Sequence, residues 1–112
     1  YRPLSIETQI KEELKGIVKL VNSKNNIFEK GLLLLCLLSY LQAFEDGNKR
    51  TARIMSNAVL MSHNYCPLSF RTVSAVDYKK AMLLFYEQNN ISAMKEIFIH
   101  QYEFAVKQYF DL

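Results

Sequence analysis

Between Glu45 and Arg53 the chain places two carboxylates, a glycine, an asparagine and three cations in close succession: Glu45-Asp46-Gly47-Asn48-Lys49-Arg50-Thr51-Ala52-Arg53. The chemistry this set can do is anion binding, with phosphate the first candidate. An apolar helical pattern precedes the stretch and another follows it, so the segment reads as a turn that opens a helix. The first turn of a helix leaves backbone N–H groups without intrahelical partners and carries partial positive charge. A phosphate placed there gains both the donors and the dipole. Gly47 allows a positive φ and a close ligand approach, and Asn48 is a natural N-cap. Arg50 and Arg53, three apart, project from neighbouring positions on one helical face, where two guanidinium forks can hold a polyphosphate. Asp46 or Glu45 beside phosphates can hold Mg²⁺, which takes one or two carboxylates plus phosphate oxygens. The competing reading is a capped turn whose acids and arginines form solvated surface pairs.

The order of residues in this loop resembles a known signature. Phe44-Glu45-Asp46-Gly47-Asn48-Lys49-Arg50-Thr51-Ala52-Arg53 is similar to the Fic-domain loop H-x-F-x-[D/E]-G-N-[G/K]-R-x-x-R, matching at Phe44, Asp46, Gly47, Asn48, Arg50 and Arg53. Asn57 and the Tyr65-Cys66-Pro67 helix exit also resemble the family. The resemblance implies one Fic-like domain over residues 1–112. The family's earlier helices and its substrate-docking β-hairpin flap are then expected upstream of Tyr1. It implies transfer of AMP from ATP to a Ser, Thr or Tyr hydroxyl of a protein target. By the same resemblance Asp46 holds Mg²⁺, Gly47 and Asn48 line an anion hole, Lys49 lies beside the phosphates, Arg50 and Arg53 grip them, and Phe44 anchors the loop in the core.

Two positions depart from the family. The motif's catalytic His is replaced by Gln42. A carboxamide donates and accepts hydrogen bonds but does not titrate in the useful range. General-base catalysis needs a pKa near the working pH and contributes roughly 10²–10⁴-fold. Gln42 can orient a hydroxyl or a water, but it cannot take a proton. His63 falls on the same predicted helix as Asn48, about 22 Å away at about 1.5 Å per residue, and His100 falls in the last helix. Lys49 stands where AMP-transferring members more often carry Gly. Its presence resembles Doc-like members that transfer a phosphoryl group instead, with a solvent-directed lysine as the alternative.

The rest of the composition fits a small intracellular domain. The chain has 112 residues, half of them hydrophobic, with three Gly and two Pro, which argues against disorder. Cys36 lies in an apolar run and Cys66 precedes Pro67. Two such cysteines make neither a disulfide framework nor a metal site and point to reduced thiols in the cytoplasm. The net charge of +3 is a mild bias towards anions. A helix-turn-helix nucleic-acid reader using Lys49, Arg50 and Arg53 is disfavoured, because Glu45 and Asp46 would repel the duplex. The longest apolar run, Gly31–Leu41, has 11 residues, too short to span a bilayer.

The elements that must position the loop read as an all-α bundle of about five helices, with the loop between two central ones. The first helix is capped by Ser5 or Thr8 and runs to about Val21, its stripe made by Ile10, Leu14, Ile17, Val18 and Val21. The second spans about Ile27 to Gln42 and is apolar nearly all round, hence central. The third runs from Asn48 to about His63. Pro67 interrupts the connector that follows. Ser74 opens the fourth helix, with Ser74-x-x-Asp77 resembling a capping box. Asn89 and Asn90 break it. Ser92 caps the last helix, which reaches about Tyr109. Phe98, Tyr102, Phe104, Tyr109 and Phe110 form either a core face or a docking face for a partner. Ser92-x-x-x-Glu96 resembles in part the family's inhibitory [S/T]-x-x-x-E-[G/N] helix, with a plain N-cap as the alternative.

The functions expected are thus a Fic-type Mg·ATP-binding domain that is impaired or altered by Gln42, a Doc-like phosphotransferase, or an inactive interaction module. A homo-oligomer or a partner subunit is compatible with all three.

Overall fold

The computed structural model describes residues 7–42 and 46–110. Among them the chain is all-α, as the apolar periodicity requires: α1 (Glu7–Asn22), α2 (Ile27–Leu41), α3 (Asn48–Ser62), α4 (Ala75–Gln88) and α5 (Ser92–Phe110). The chain divides into two compact units, Tyr1–His63 and Asn64–Leu112.

In the first unit α2 packs against both α1 and α3. Its N-terminus is closed by Asn26, whose side-chain oxygen accepts the Glu29 N–H at 3.1 Å. Having neighbours on two sides explains why the helix is apolar nearly all round: Gly31, Leu32, Leu34, Leu35, Cys36, Ser39 and Leu41 are all buried. Ile17 and Val21 of α1 join Leu34 and Leu41 in one core, with Val59 of α3 packed against it. Val18, expected in the buried stripe, is instead 53% exposed. Among the described residues α1 packs on α2 alone, so only a narrow stripe of it is covered. Thr8 lies inside the first turn of α1 rather than at its cap, and Ser5 lies outside the described residues.

In the second unit α4 packs on α5. Ser74 caps α4 as predicted, its Oγ accepting the Asp77 N–H at 3.0 Å. Asn89 ends the helix in the left-handed region (φ 52°), the conformation that asparagine tolerates at a helix C-terminus. Ser92, expected as the cap of α5, is its first helical residue. Ile91 is the N-cap, its carbonyl accepting the Lys95 N–H at 2.9 Å, and the side chain of Asn90 accepts the Ser92 N–H at 3.0 Å. The aromatic stripe of α5 divides between the two readings. Phe98 is buried, Tyr102 meets Tyr65 edge-on at 6.0 Å, and Phe104 lies beneath the Arg71 guanidinium at 5.8 Å. The side chains of Tyr109 and Phe110 lie outside the described ones.

Candidate functional site

The loop enters α3 through Gly47, which adopts φ 77° and ψ 13°. A Cβ built there meets nothing within 4 Å, so conformation and not space selects glycine. The carbonyl of Gly47 accepts the Thr51 N–H at 2.9 Å, the first bond of the helix. Gly47 is therefore the N-cap, and Asn48, expected in that position, is the first helical residue. The correction affects the site. A glycine cap has no side chain to bond the amides of the first turn, the groups that an anion uses at a helix N-terminus. Asp46 steadies the entry, its Oδ1 accepting the Gly47 N–H at 2.8 Å.

Asp46, Gly47, Asn48, Lys49, Arg50 and Arg53 line one open cleft of about 540 Å³. The structure thus brings six of the residues singled out from the loop sequence to one cleft. Three cations face one carboxylate there. Lys49 and Arg50 are exposed and Arg53 is half-buried, so the two guanidinium groups meet the cleft from different depths. The cleft continues one turn further to Ile54 and Asn57. Asn57 was noted in the sequence only as part of the resemblance, and Ile54 was missed. Helical spacing was the available signal, because residues 50, 54 and 57 share one face of α3 and residue 53 lies at its edge.

Gln42 stands at the other end of the loop as the C-cap of α2, half-buried, with its N–H directed to the Leu38 carbonyl at 3.4 Å. It adopts φ 49° and ψ 55°, a left-handed conformation unusual for glutamine. It is not among the residues lining the cleft. Phe44, the expected anchor, lies outside the described residues, as does Glu45. His63 caps the far end of α3, its Nδ1 2.9 Å from Ser62 Oγ and 3.1 Å from the Val59 carbonyl. His100 is exposed on α5, in the other unit.

Asp46 is the one carboxylate lining the cleft among the described residues. One carboxylate oxygen is engaged by Gly47 and the other remains for a metal, which fits an ion held jointly by one carboxylate and phosphate oxygens. Among the described residues no group of three or more His, Cys, Asp or Glu side chains is placed to hold a metal by itself. No helix among them is long and apolar enough to cross a membrane. Both cysteines are free; Cys36 is fully buried, and burial pushes its thiol up to about 12.

A family model described as the Fic/DOC family matches residues 1–60. The match covers more than half of the chain and includes α1, α2, the loop and α3 as far as Leu60. It stops short of the Tyr65-Cys66-Pro67 exit. No solved structure matches the chain.

Proposed function

The chain belongs to the Fic/DOC family, and we propose that its loop and the N-terminus of α3 bind Mg·ATP for transfer of AMP to a protein hydroxyl, a reaction slowed by Gln42. The observation that carries this reading is the single cleft lined by Asp46, Gly47, Asn48, Lys49, Arg50 and Arg53. The N-terminus of α3 and the two arginines are the groups that would receive the phosphates. Asp46 would hold Mg²⁺, which supplies charge neutralisation at the phosphates when bound. In AMP transfer the target's hydroxyl oxygen bonds to the α-phosphorus while the bond to the departing pyrophosphate breaks. The hydroxyl proton must go to a base. The amide of Gln42 cannot accept that proton, so the cradle keeps its binding chemistry while the transfer loses the proton acceptor.

A second reading rests on Lys49, which is exposed and lines the same cleft. A lysine at this position resembles the Doc-like members of the family, and that resemblance is what suggests phosphoryl transfer. An inactive interaction module is the outcome if no nucleotide binds.

Calorimetric titration of the chain with Mg·ATP, with Arg50→Ala as the control, tests the reading. Binding that weakens by about tenfold or more in the control is expected, because a charged hydrogen-bond partner is removed. A folded chain that takes up no ATP overturns it.

A further inference from the structure

The second unit contains a groove of its own, about 440 Å³ in volume, between α4 and α5. It lies outside the segment matched to the family and shares no residue with the loop cleft. Its size is within the range of small-ligand sites. Ala81, Leu84 and Ile97 supply apolar walls, and Asp77 of α4 and Glu96 of α5 bring carboxylates from the two facing helices. Among the described residues no hydrogen bond or ion pair engages either carboxylate.

Gln101 distinguishes this groove from an ordinary seam between helices. It lines the groove yet is only 3% exposed. Its Nε2 donates to Thr72 Oγ1 at 2.7 Å, while its Oε1 is closed off from water and has no hydrogen-bond partner among the described residues. A buried acceptor left open is costly, and a small movement of the groove lining would let a ligand's donor reach it and complete it. Lys80 and His100 also line the groove. A single lysine does not offset two carboxylates and an open amide oxygen, so acceptors predominate.

We propose that the α4–α5 groove binds an alkyl ammonium or alkyl guanidinium group, its stem on the apolar walls and its N–H donors on Asp77, Glu96 and the Gln101 carbonyl. A guanidinium fits best, because its planar fork can serve carboxylates on two sides.

The test is an amide-resolved NMR titration of the full chain with four probes of one stem: butylguanidinium, butylammonium, butanol and butyrate. The two cations are expected to shift amides around Asp77, Glu96 and Gln101, and butanol and butyrate are not. Asp77→Asn combined with Glu96→Gln, both at exposed positions, should weaken the cations by about tenfold or more and leave the fold intact. Gln101→Leu should weaken them as well. Arg50→Ala should leave them unchanged, since the loop cleft is not involved. Free L-arginine compared with a capped Gly-Arg-Gly peptide identifies the source, a small molecule or a side chain of another protein, by which binds tighter. Butyrate binding as well as the cations, shifts confined to other regions, or cation binding unaltered in the doubly substituted variant would each overturn the proposal.

Discussion

Ser56 in α3 donates its hydroxyl hydrogen to the carbonyl oxygen of Gly31 in α2 at 2.7 Å, and both residues are buried. The bond sets the rotation of α3 about its own axis. Ala52, Ser56 and Leu60 turn inward along one stripe, which leaves residues 50, 54 and 57 on the cleft face and Arg53 between the two. That rotation explains why Arg50 is exposed while Arg53 is half-buried. Ser56→Ala should cost about 1 kcal/mol, the ordinary net value of a hydrogen bond. Ser62→Ala, at an exposed position, should change stability by less than about 0.5 kcal/mol. Urea midpoints of the two variants check the difference. Equal midpoints would remove Ser56 from the account of helix orientation.

Gly47→Ala tests the loop entry. The added methyl has free space, so any loss comes from holding alanine at φ 77°. A loss of about 1–2 kcal/mol is expected, with Gly47→Asn milder because asparagine tolerates this region. Thermal unfolding of both variants measures it. An alanine variant as stable as the parent would mean that the loop relaxes to another conformation.

Arg53→Lys keeps the charge and removes the fork. If two guanidinium groups hold the phosphates, this variant should bind Mg·ATP more weakly than the parent although the net charge of the cleft is unchanged. Raising the salt concentration should weaken both proteins, since the contacts are ionic. Calorimetry at two salt concentrations is sufficient. Identical affinities for Arg and Lys would reduce Arg53 to a point charge.

Gln42→His restores a titratable group at the position where the family's motif carries one. Histidine occupies the left-handed region more readily than most side chains, so the substitution should not strain the end of α2 beyond what Gln42 already bears at φ 49°. Transfer is expected to rise by about 10²–10⁴-fold. ATP labelled at the α-phosphate reports AMP transfer and ATP labelled at the γ-phosphate reports phosphoryl transfer, so the label that reaches the target identifies the reaction. No gain with ATP binding retained would place the defect elsewhere in the loop.

Cys36 links burial to pH. Its thiol is pushed from an ordinary value of 9.0 up to about 12 by burial. The folded chain therefore holds this proton through a pH range in which the unfolded chain releases it. The contribution is fully present below about pH 9 and is lost progressively as the pH rises towards 12. Chemical denaturation at stepped alkaline pH should show that decline, and Cys36→Ala should flatten it. Thiol labelling of the native chain near neutral pH should modify half-buried Cys66 well before Cys36.

Several features of the fold and of the site were legible because they depend on local patterning. The uninterrupted apolar face of α2 identified it as the central helix of its unit. Ser74 and Asp77 marked the start of α4, and residues 46–53 marked the loop and first turns whose side chains line one cleft. The features that were missed depend on choices between near-equal neighbours. Gly47 and Asn48 both suit an N-cap, and only the bond from Thr51 to Gly47 decides between them. At the start of α5 the cap falls on Ile91, and Asn90 rather than Ser92 supplies the side-chain bond. Val18 follows the periodicity of its helix, but α1 has no second neighbour to cover it.

By itself the sequence determined the helical class, the place of the loop between α2 and α3, and the chemistry of the loop side chains, since propensity, periodicity and charge belong to residues and their near neighbours. Only the tertiary structure decided which side chains share a cleft. It added Ile54 and Asn57 to the cleft and placed Asp77, Glu96 and Gln101 around one groove. Those groupings follow from how helices rotate and pack against one another, and the packing is settled by buried contacts such as Ser56 to Gly31 between residues 25 positions apart.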